Sequence, residues 1–407
     1  MPSPSTRSES TFAACVTPPG SGGIAVVRVI GRDAAALLWP HLNADRPIDL
    51  QTPDPDRLRL CRIMDGDQTI DDAVVAARRD HAGRLVVDLS VHGGRRVVQR
   101  VLLMLKQAGA EIVEGRDLLP IQYAGRPVYE LEAAQAWLQV QTRPVAAWLA
   151  RTVERLPTDI QAMLDLLAAG RLDQARDRLS QRIERGEQSR YLLEGVRVVL
   201  VGRPNTGKST LANLLGGRER AIISGQPGTT RDWTEHPGAV DGVPFTFVDT
   251  AGLRPAADPI EQEAIRRAHD QVRRADILLH LLDASQPPDA NVDVLDLGQA
   301  EQTEPSHRLV VRNKLDLSPH PEQAALARRA GDKGIVLSAR TGEGVDTLRV
   351  RLISLIGLDD WQASAGVPFT GRQRSAYRSA REALTHPQPD VLTAAERLKS
   401  VISTPAT

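Results

Sequence analysis

The sequence predicts a multidomain α/β protein, in which an α+β N-terminal domain precedes a helical domain that carries an inserted α/β domain. Three observations support this fold class. Apolar runs of strand length occur in the first part of the chain, strand signals vanish over residues 130–192, and strands alternate with helices from residue 196 onward. The expected domains are 1–127 (α+β), 128–195 (first helical part), 196–357 (α/β insertion) and 358–407 (a short second helical part).

Composition is that of an ordinary globular protein. The 407 residues are 41% hydrophobic and 25% charged, which excludes a wholly disordered chain. Lys plus Arg and Asp plus Glu both number 51, so the net charge of zero excludes a globally basic nucleic-acid binder but leaves room for a local basic patch.

Two cysteines, Cys15 and Cys61, are too few for a disulfide framework or a zinc site, and they favour a reducing compartment. We find neither an apolar run long enough for a membrane span nor an apolar signal core at the N-terminus. The expected location is therefore the cytoplasm, with no membrane partner.

In the N-terminal domain we expect a buried strand over residues 24–30, after a turn-rich segment of glycine and proline. Further strands are expected over 72–77 and 84–89. A helix should follow the His92-Gly93-Gly94 turn and end at Gly109.

In the helical domain, Thr158 or Asp159 is expected to cap a helix that ends at Gly170, and a second helix should run over residues 172–193. After the α/β insertion, helices are expected over 372–384 and 392–402. The insertion itself should contain a mostly parallel sheet. Its expected strands are 196–201, 246–248, 277–282, 309–311 and 335–337.

Residues 202–209 read GRPNTGKS and fit the phosphate-binding pattern GxxxxGK[ST], between a predicted strand and a predicted helix. Backbone N–H groups of such a loop wrap phosphates, Lys208 reaches the terminal phosphates, and Ser209 binds Mg²⁺. Arginine would not replace Lys208 well, because the site needs a compact point charge.

Three further motifs follow later strands. Asp249 of Asp-Thr-Ala-Gly can hold Mg²⁺ through water, and Gly252 can present an N–H to the γ-phosphate, although a simple turn is the alternative. Asp316 of Asn-Lys-Leu-Asp can accept two hydrogen bonds from guanine, a donor pair that adenine lacks. Residues 338–340 (Ser-Ala-Arg) complete the base pocket. The order and spacing predict a Ras-like P-loop GTPase domain.

The water-activating residue is less evident from these motifs. Ras-type sites use a glutamine directly after DxxG, and Leu253 at that place cannot position water. The candidate first switch loop is residues 224–232, in which Thr230 would complete the Mg²⁺ shell when the γ-phosphate is present.

These residues resemble the tRNA modification GTPase family called MnmE or TrmE. The resemblance is carried by GRPNTGKST, by PGTTRD, by DTAGLRPAADPIEQEAI and, outside the GTPase, by TPPGSGGIAVVRVIG at residues 17–31. The order of the domains is also that of the family.

The resemblance implies a GTPase driven by Mg²⁺ and by potassium-dependent dimerisation of its GTPase domains. It assigns potassium to Asn205, with Ser224, Gln226 and Thr229 on the potassium loop, and water activation to Glu261. A solvated carboxylate at a helix start is the alternative for Glu261.

With the motifs, the resemblance assigns catalysis to Glu261, Lys208 and Thr229, and metal binding to Ser209, Thr230, Asn205, Ser224 and Gln226. The expected nucleotide-site residues are Asn205, Thr206, Gly207, Lys208, Ser209, Thr210, Gly228, Thr229, Thr230, Asp249, Gly252, Asn313, Lys314, Asp316, Ser338 and Ala339.

The family's N-terminal domain dimerises and binds a formyl-tetrahydrofolate. Arg28 matches the family, whereas Asp88 and Arg126 stand where the family has glutamate and lysine, so the charges persist but the identities change. All three could equally be surface charges.

Other family features are missing. The segment SYTGED before the His-Gly-Gly turn is absent, and so is the Cys-x-Gly-Lys tail, since no cysteine follows Cys61. These differences fall on the modification site, while the GTPase motifs are intact.

Two functions remain open. One is a GTPase of wobble-uridine modification of tRNA, a homodimer that works with tRNA and a flavoprotein partner. The other is a regulatory or assembly GTPase that has lost the tRNA-modifying chemistry. The complete set of motifs disfavours a GTP-binding module without catalysis.

Overall fold

The computed structural model describes residues 10–18, 22–45, 48–217, 233–250, 271–287, 307–323 and 334–404. The chain forms two compact units. One covers residues 1–134 together with the last residues from Thr404, and the other covers Gln135–Ser403. The finer four-part division stays a prediction.

The first unit is built on a seven-stranded sheet in the order β3-β4-β5-β6-β2-β1-β7. Neighbouring strands are antiparallel, except that β1 and β7 are parallel. The strands are β1 (Phe12–Cys15), β2 (Ile24–Gly31), β3 (Leu42–Asn43), β4 (Arg59–Asp65), β5 (Gln68–Arg79), β6 (Leu85–His92) and β7 (Glu111–Ile112).

Helices cover both faces of this sheet because its strands place apolar side chains on each. The main core buries Val27 and Leu89 of the sheet with Leu105 of α2, and a smaller cluster on the other face packs Ile30 against Leu118 of α3. The helices are α1 (Ala34–Leu38), α2 (Arg95–Gln107), α3 (Gly115–Gln122) and α4 (Val128–Trp137), in which the boundary between the units falls.

The three predicted strands and the helix after Gly94 are confirmed, although β5 is longer than expected. The sequence reading missed β1 and β4. Both are short or mixed in polarity, so a local pattern does not reveal them.

Two long helices open the second unit, α5 (Arg143–Ala168) and α6 (Leu172–Glu194). The predicted start of α5 at Thr158 or Asp159 is wrong. The cap lies sixteen residues before Thr158, where the hydroxyl of Thr142 accepts a hydrogen bond, and the helix continues through Pro157. Asp159 is instead buried, and it pairs with Arg178 and Arg182 of α6.

The α/β part that follows has a six-stranded sheet in the order β13-β12-β11-β8-β10-β9. All neighbours are parallel except β9 and β10, which form an antiparallel hairpin at the edge. The strands are β8 (Val196–Val201), β9 (Trp233–Val240), β10 (Val243–Thr250), β11 (Ile277–Asp283), β12 (His307–Asn313) and β13 (Ile335–Val336). The mostly parallel sheet is confirmed, and β9 was not predicted.

Helix α7 (Lys208–Gly217) follows β8, and α8 (Val345–Leu355) follows β13. A single turn of 3₁₀ helix, Trp361–Ala363, then leads to the last two helices, α9 (Gly371–Thr385) and α10 (Val391–Ile402), which confirm the two predicted C-terminal helices. Among the helices in these described ranges, none has the length and apolar character needed to cross a bilayer.

Candidate active site

Four parallel strands of the second unit end at one edge of the sheet. Three of these ends carry a residue or loop of the predicted site, and the end of β11 carries Asp283. Gly202 follows β8, Asp249 lies near the end of β10, and Asp283 and Asn313 end β11 and β12. The carboxyl ends of parallel strands form the usual ligand crevice of such sheets. The fold therefore collects distant sequence motifs at one place.

The phosphate-binding loop is shaped by backbone that few residues adopt. Gly207 has φ +96°, and a Cβ atom there would lie 2.2 Å from Nδ2 of Asn313. Only glycine meets both demands. Asn205 also has a positive φ, +64°, which is uncommon for a residue with a side chain and is typical of functional loops.

Lys208 begins α7 and is buried beneath this loop. Its Nζ donates to the carbonyls of Gly202 at 3.0 Å and Arg203 at 2.9 Å. Burial lowers the pKa of Lys208, and the charge of Asp249 opposes that shift. The ammonium therefore lies at the loop that the motif assigns to the phosphates.

Ser209 and Asp249 are brought together from separate motifs. The hydroxyl of Ser209 donates to a carboxylate oxygen of Asp249. A hydroxyl beside a carboxylate is an all-oxygen donor set, which fits Mg²⁺. Thr210 is the next residue of α7 and is exposed, whereas Thr206 is buried, with its hydroxyl donating to the carbonyl of Arg203 at 2.9 Å.

Asn313 joins the phosphate loop to the base loop. Its Nδ2 donates to the carbonyl of Thr206 at 2.7 Å, and its Oδ1 accepts from the backbone N–H of Ala339 at 2.8 Å. Because the amide uses both of its ends, it holds the two loops in register. Asn313 is therefore a structural organiser of the site.

Lys314 has φ +73° and pairs with Asp283, Nζ to Oδ2, at 2.6 Å. Burial acts to raise the pKa of Asp283, but the hydrogen bond from Lys314 and those from Ser285 outweigh it and lower the pKa. Sequence reasoning missed Asp283, whose only signal was its place at the end of an apolar strand. Asn205, Lys314 and Asp283 line a cavity of about 300 Å³ beside the loop.

Asp316 is held as a carboxylate between two donors. The hydroxyl of Ser338 donates to Oδ1 at 2.6 Å, and Nε of Arg340 lies 3.2 Å from Oδ2. The hydrogen bond from Ser338 lowers the pKa of Asp316, and the charge of Arg340 contributes in the same direction. An ionised carboxylate only accepts hydrogen bonds, which is what reading guanine requires.

The remaining predicted residues of the GTPase site lie outside the described residues, so they stay predictions. They are Ser224, Gln226, Gly228, Thr229, Thr230, Gly252 and Glu261.

In the first unit, Arg28 and Asp88 face each other on paired strands. Nε and Nη2 of Arg28 donate to the two carboxylate oxygens at 2.6 and 2.9 Å, and Arg78 adds a third contact at 3.2 Å. Nη1 of Arg28 donates to Gln122 at 3.1 Å. The structure thus brings Arg28 and Asp88 together, but it pairs them with each other.

Arg126 belongs to a different contact. It forms an ion pair with Glu130 at 2.9 Å, and its guanidinium lies over the ring of Tyr123. The charged groups assigned to a folate are therefore paired within the protein, and their role toward a folate stays a prediction.

Comparison with known proteins agrees with both units. A family model described as GTP-binding protein TrmE N-terminus matches residues 11–115, and one described as 50S ribosome-binding GTPase matches residues 197–314. Among solved structures, Era of Aquifex aeolicus bound to GDP·AlF4⁻ is 24% identical, with a TM-score of 0.32, over 46% of this chain and 66% of that chain. The family assignment rests instead on curated relatives.

Those relatives match almost the whole chain. The tRNA modification GTPase MnmE of Aromatoleum aromaticum is 32% identical over an alignment of 420 residues, gaps included, which covers 95% of this chain and 89% of the relative. The protein of the same name from Alkalilimnicola ehrlichii is 34% identical over 407 residues, covering 92% and 87%. The chain belongs to the MnmE family of tRNA modification GTPases.

Proposed function

We propose that this protein hydrolyses GTP to drive modification of the wobble uridine of tRNA, as a cytoplasmic homodimer that works with a flavoprotein partner. The observation that carries the proposal is the convergence of Lys208, Asp249, Asn313 and Asp316 at one sheet edge, in a chain similar to MnmE proteins over nearly its full length. The free cysteines Cys15 and Cys61 are compatible with the cytoplasm.

In this proposal the substrate is held at both ends. Asp316, oriented by Ser338, accepts two hydrogen bonds from the guanine edge, and Lys208 turns from the loop carbonyls to the terminal phosphates. Ser209 and Asp249 hold Mg²⁺, which supplies charge neutralisation on the phosphates. The sequence assigns Thr230 to the Mg²⁺ shell and the N–H of Gly252 to the γ-phosphate, and the resemblance assigns Thr229 to the potassium loop.

Water activation is assigned to Glu261, because Leu253 leaves the usual position without a polar group. A Glu261→Ala variant should lose about 10²- to 10⁴-fold in kcat, the usual contribution of a positioned base, and should keep its GTP affinity. The matched control is Glu263→Ala, two residues along the same segment. Unchanged hydrolysis in Glu261→Ala would rule out this role.

Potassium dependence is proposed from Asn205 together with Ser224 and Gln226. The positive φ of Asn205 and its exposed position at the loop support a backbone preset for a ligand. Hydrolysis should be faster in KCl than in NaCl at equal concentration, and Asn205→Ala should remove the difference. Equal rates in both salts for the unmodified protein would exclude potassium stimulation.

The tRNA substrate is tested by mass spectrometry of tRNA nucleosides from cells that lack this protein. A wobble-uridine modification should disappear, and it should return with the unmodified protein but not with Glu261→Ala. Persistence of the modification, in a cell without a second family member, would overturn the tRNA part and leave the GTPase part standing.

A regulatory or assembly GTPase is the second candidate. The observation that favours it is that Arg28 and Asp88, to which the resemblance assigns the family's one-carbon donor, are paired with each other. This candidate predicts GTP hydrolysis with no change in tRNA nucleosides, so the same experiment separates the two functions.

A further inference from the structure

The hairpin of β9 and β10 spans the whole depth of the α/β sheet. Its eight paired positions run from Trp233 and Thr250 at one end to Val240 and Val243 at the other, a length of roughly 25 Å. The first end lies at the nucleotide edge, where Asp249 contacts Ser209. The other end is the turn of Asp241 and Gly242, far from the nucleotide.

That distant turn is fastened to α5. The hydroxyl of Thr142, which also caps the helix, donates to the carbonyl of Gly242 at 2.6 Å, and Thr142 is buried. Gly242 has φ +80°, and a Cβ atom on it would lie 2.7 Å from Cγ of Pro144. The hairpin turn at Gly242 and the first helical turn of α5 are thus in direct contact, with no room for a side chain between them.

A second contact holds the same turn from another element. Nη2 of Arg349, on α8, lies 3.6 Å from Oδ1 of Asp241, and the Arg349 side chain is largely buried. Helix α8 begins shortly after the base loop that contains Ser338. The turn is therefore held between the helical part and the helix that follows the guanine-reading loop.

The hairpin also contacts the helix that carries the catalytic lysine. A Cβ atom on Gly238 of β9 would lie only 2.7 Å from Cα of Gly216 in α7, and β10 pairs with β8, which leads into the phosphate loop. Because β9 is an edge strand, the rest of the sheet restrains the hairpin on one side only. The contacts at its turn complete that restraint.

We propose that Thr142 and Gly242 are positioning residues for GTP hydrolysis. Their contact fixes the hairpin, and the hairpin in turn fixes Asp249 against Ser209. It also fixes its own two ends, Trp233 and Thr250, which adjoin residues 218–232 and 251–270. The contact acts on geometry and touches no part of the substrate. A misplacement of about 1 Å can cost up to 10²-fold in rate without changing the reacting groups.

The mild test is Thr142→Val in the full-length protein, which keeps the shape of the side chain and removes the hydroxyl. The matched control is Thr370→Val, because Thr370 caps α9 in the same way. Both variants lose a helix cap, but Thr142→Val also leaves the Gly242 carbonyl without its partner, so it should lose more thermal stability than Thr370→Val. Only Thr142→Val should lower kcat for GTP, by about tenfold, with KM within about twofold of the unmodified protein.

A stronger test is Gly242→Ala, paired with Gly66→Ala. Gly66 lies in the β4–β5 turn with φ +59°, and nothing lies within 4 Å of its Cβ position. Gly66→Ala therefore introduces backbone strain without a clash. Gly242→Ala should lower kcat more than Thr142→Val does, and Gly66→Ala should leave it unchanged. If Thr142→Val and Thr370→Val have the same kcat, or if KM rises as much as kcat falls, the positioning role is wrong.

This inference rests on the GTPase part of the proposed function and not on its tRNA part. All rates are measured without tRNA, so failure of the tRNA proposal leaves the test intact. Failure of the GTPase proposal would appear as absent hydrolysis in the unmodified protein, which no outcome of the paired variants resembles.

Discussion

Asp316 shows how single residues set the chemistry of this site. Ser338 and Arg340 keep its carboxylate ionised and oriented, so that it can only accept hydrogen bonds. Selection between bases then depends on the donors that the base presents. Asn313 acts beside it as an organiser, because its amide contacts both the phosphate loop and the base loop.

We expect Asp316→Asn to reverse this selection. An amide donates as well as accepts, so it should lose one bond to guanine and gain one to xanthine, whose 2-position carries an oxygen. An unpaired polar group costs about 1–3 kcal/mol, so affinity for GTP should fall by about 5- to 150-fold. Competition between GTP and XTP for the nucleotide site measures the change. A variant that binds both nucleotides as the unmodified protein does would contradict the assigned role.

The carboxylate of Asp88 owes its charge state to two arginine neighbours, Arg28 and Arg78. Burial acts to raise the pKa of Asp88, but the hydrogen bonds and charges of Arg28 and Arg78 outweigh it, and the pKa is lowered. A lowered pKa contributes stability above the unfolded-state value of about 3.9, and that stability is lost as pH falls through the folded-state pKa.

Asp88→Asn should therefore be less stable than the unmodified protein at neutral pH, with the difference shrinking below about pH 4. Thermal midpoints measured from pH 7 to pH 3 would show this. Asp72→Asn is the control, because Asp72 is exposed and its carboxylate lies as far as 3.9 Å from Nε of Arg62, so this ion pair contributes little. A constant difference between Asp88→Asn and the unmodified protein at every pH would count against the pair.

At the scale of elements, packing decides between outcomes that local propensity leaves open. Helix α5 starts at Arg143 because Thr142 caps it, although Thr158 and Asp159 look like better caps beside Pro157 in the sequence. The apolar face of α5 is buried on both sides of Pro157, from Val145 to Leu167, so tertiary contacts carry the helix through the proline.

Gly186 tests whether packing outweighs helix propensity in α6. It lies inside α6, where helix propensity favours alanine over glycine by about 1 kcal/mol, but a Cβ atom there would lie 2.6 Å from Cγ of Pro368 and 2.9 Å from its carbonyl. Gly186→Ala should therefore destabilise the protein by about 1–3 kcal/mol.

Gly217→Ala in α7 is the control, because nothing lies within 4 Å of its Cβ position, and it should be neutral or slightly stabilising. Urea unfolding measures both variants. If Gly186→Ala were as stable as Gly217→Ala, the close approach to Pro368 would be wrong.

At the scale of the whole molecule, the chain consists of two compact units, and the nucleotide site belongs entirely to the second. A ligand that binds only the folded form of one unit stabilises that unit by mass action. Arg28 and Asp88 lie in the first unit.

We expect GDP with Mg²⁺ to stabilise the second unit selectively, by about 2.7 kcal/mol at a hundredfold excess over its dissociation constant. Calorimetry should show two transitions, of which GDP raises one and Asp88→Asn lowers the other. A single transition that both GDP and Asp88→Asn shift would mean that the two units unfold together.

Motif and spacing were enough to predict a GTP-binding site in this chain. The phosphate loop, Asp249 and the Asn-Lys-Leu-Asp segment are short motifs, each placed by the apolar strand before it, so residue type and local pattern were enough to predict them. Parallel strands then bring their carboxyl ends together without further information from the sequence.

Contacts between residues that are far apart in the chain could not be predicted in this way, because they depend on how strands pair and helices pack. The register of β2 with β6 sets Arg28 directly opposite Asp88, the fold pairs Asp283 with Lys314, and Thr142 meets Gly242 a hundred residues away. Strand register and helix packing depend on the summed burial of many side chains, and no local pattern encodes that sum.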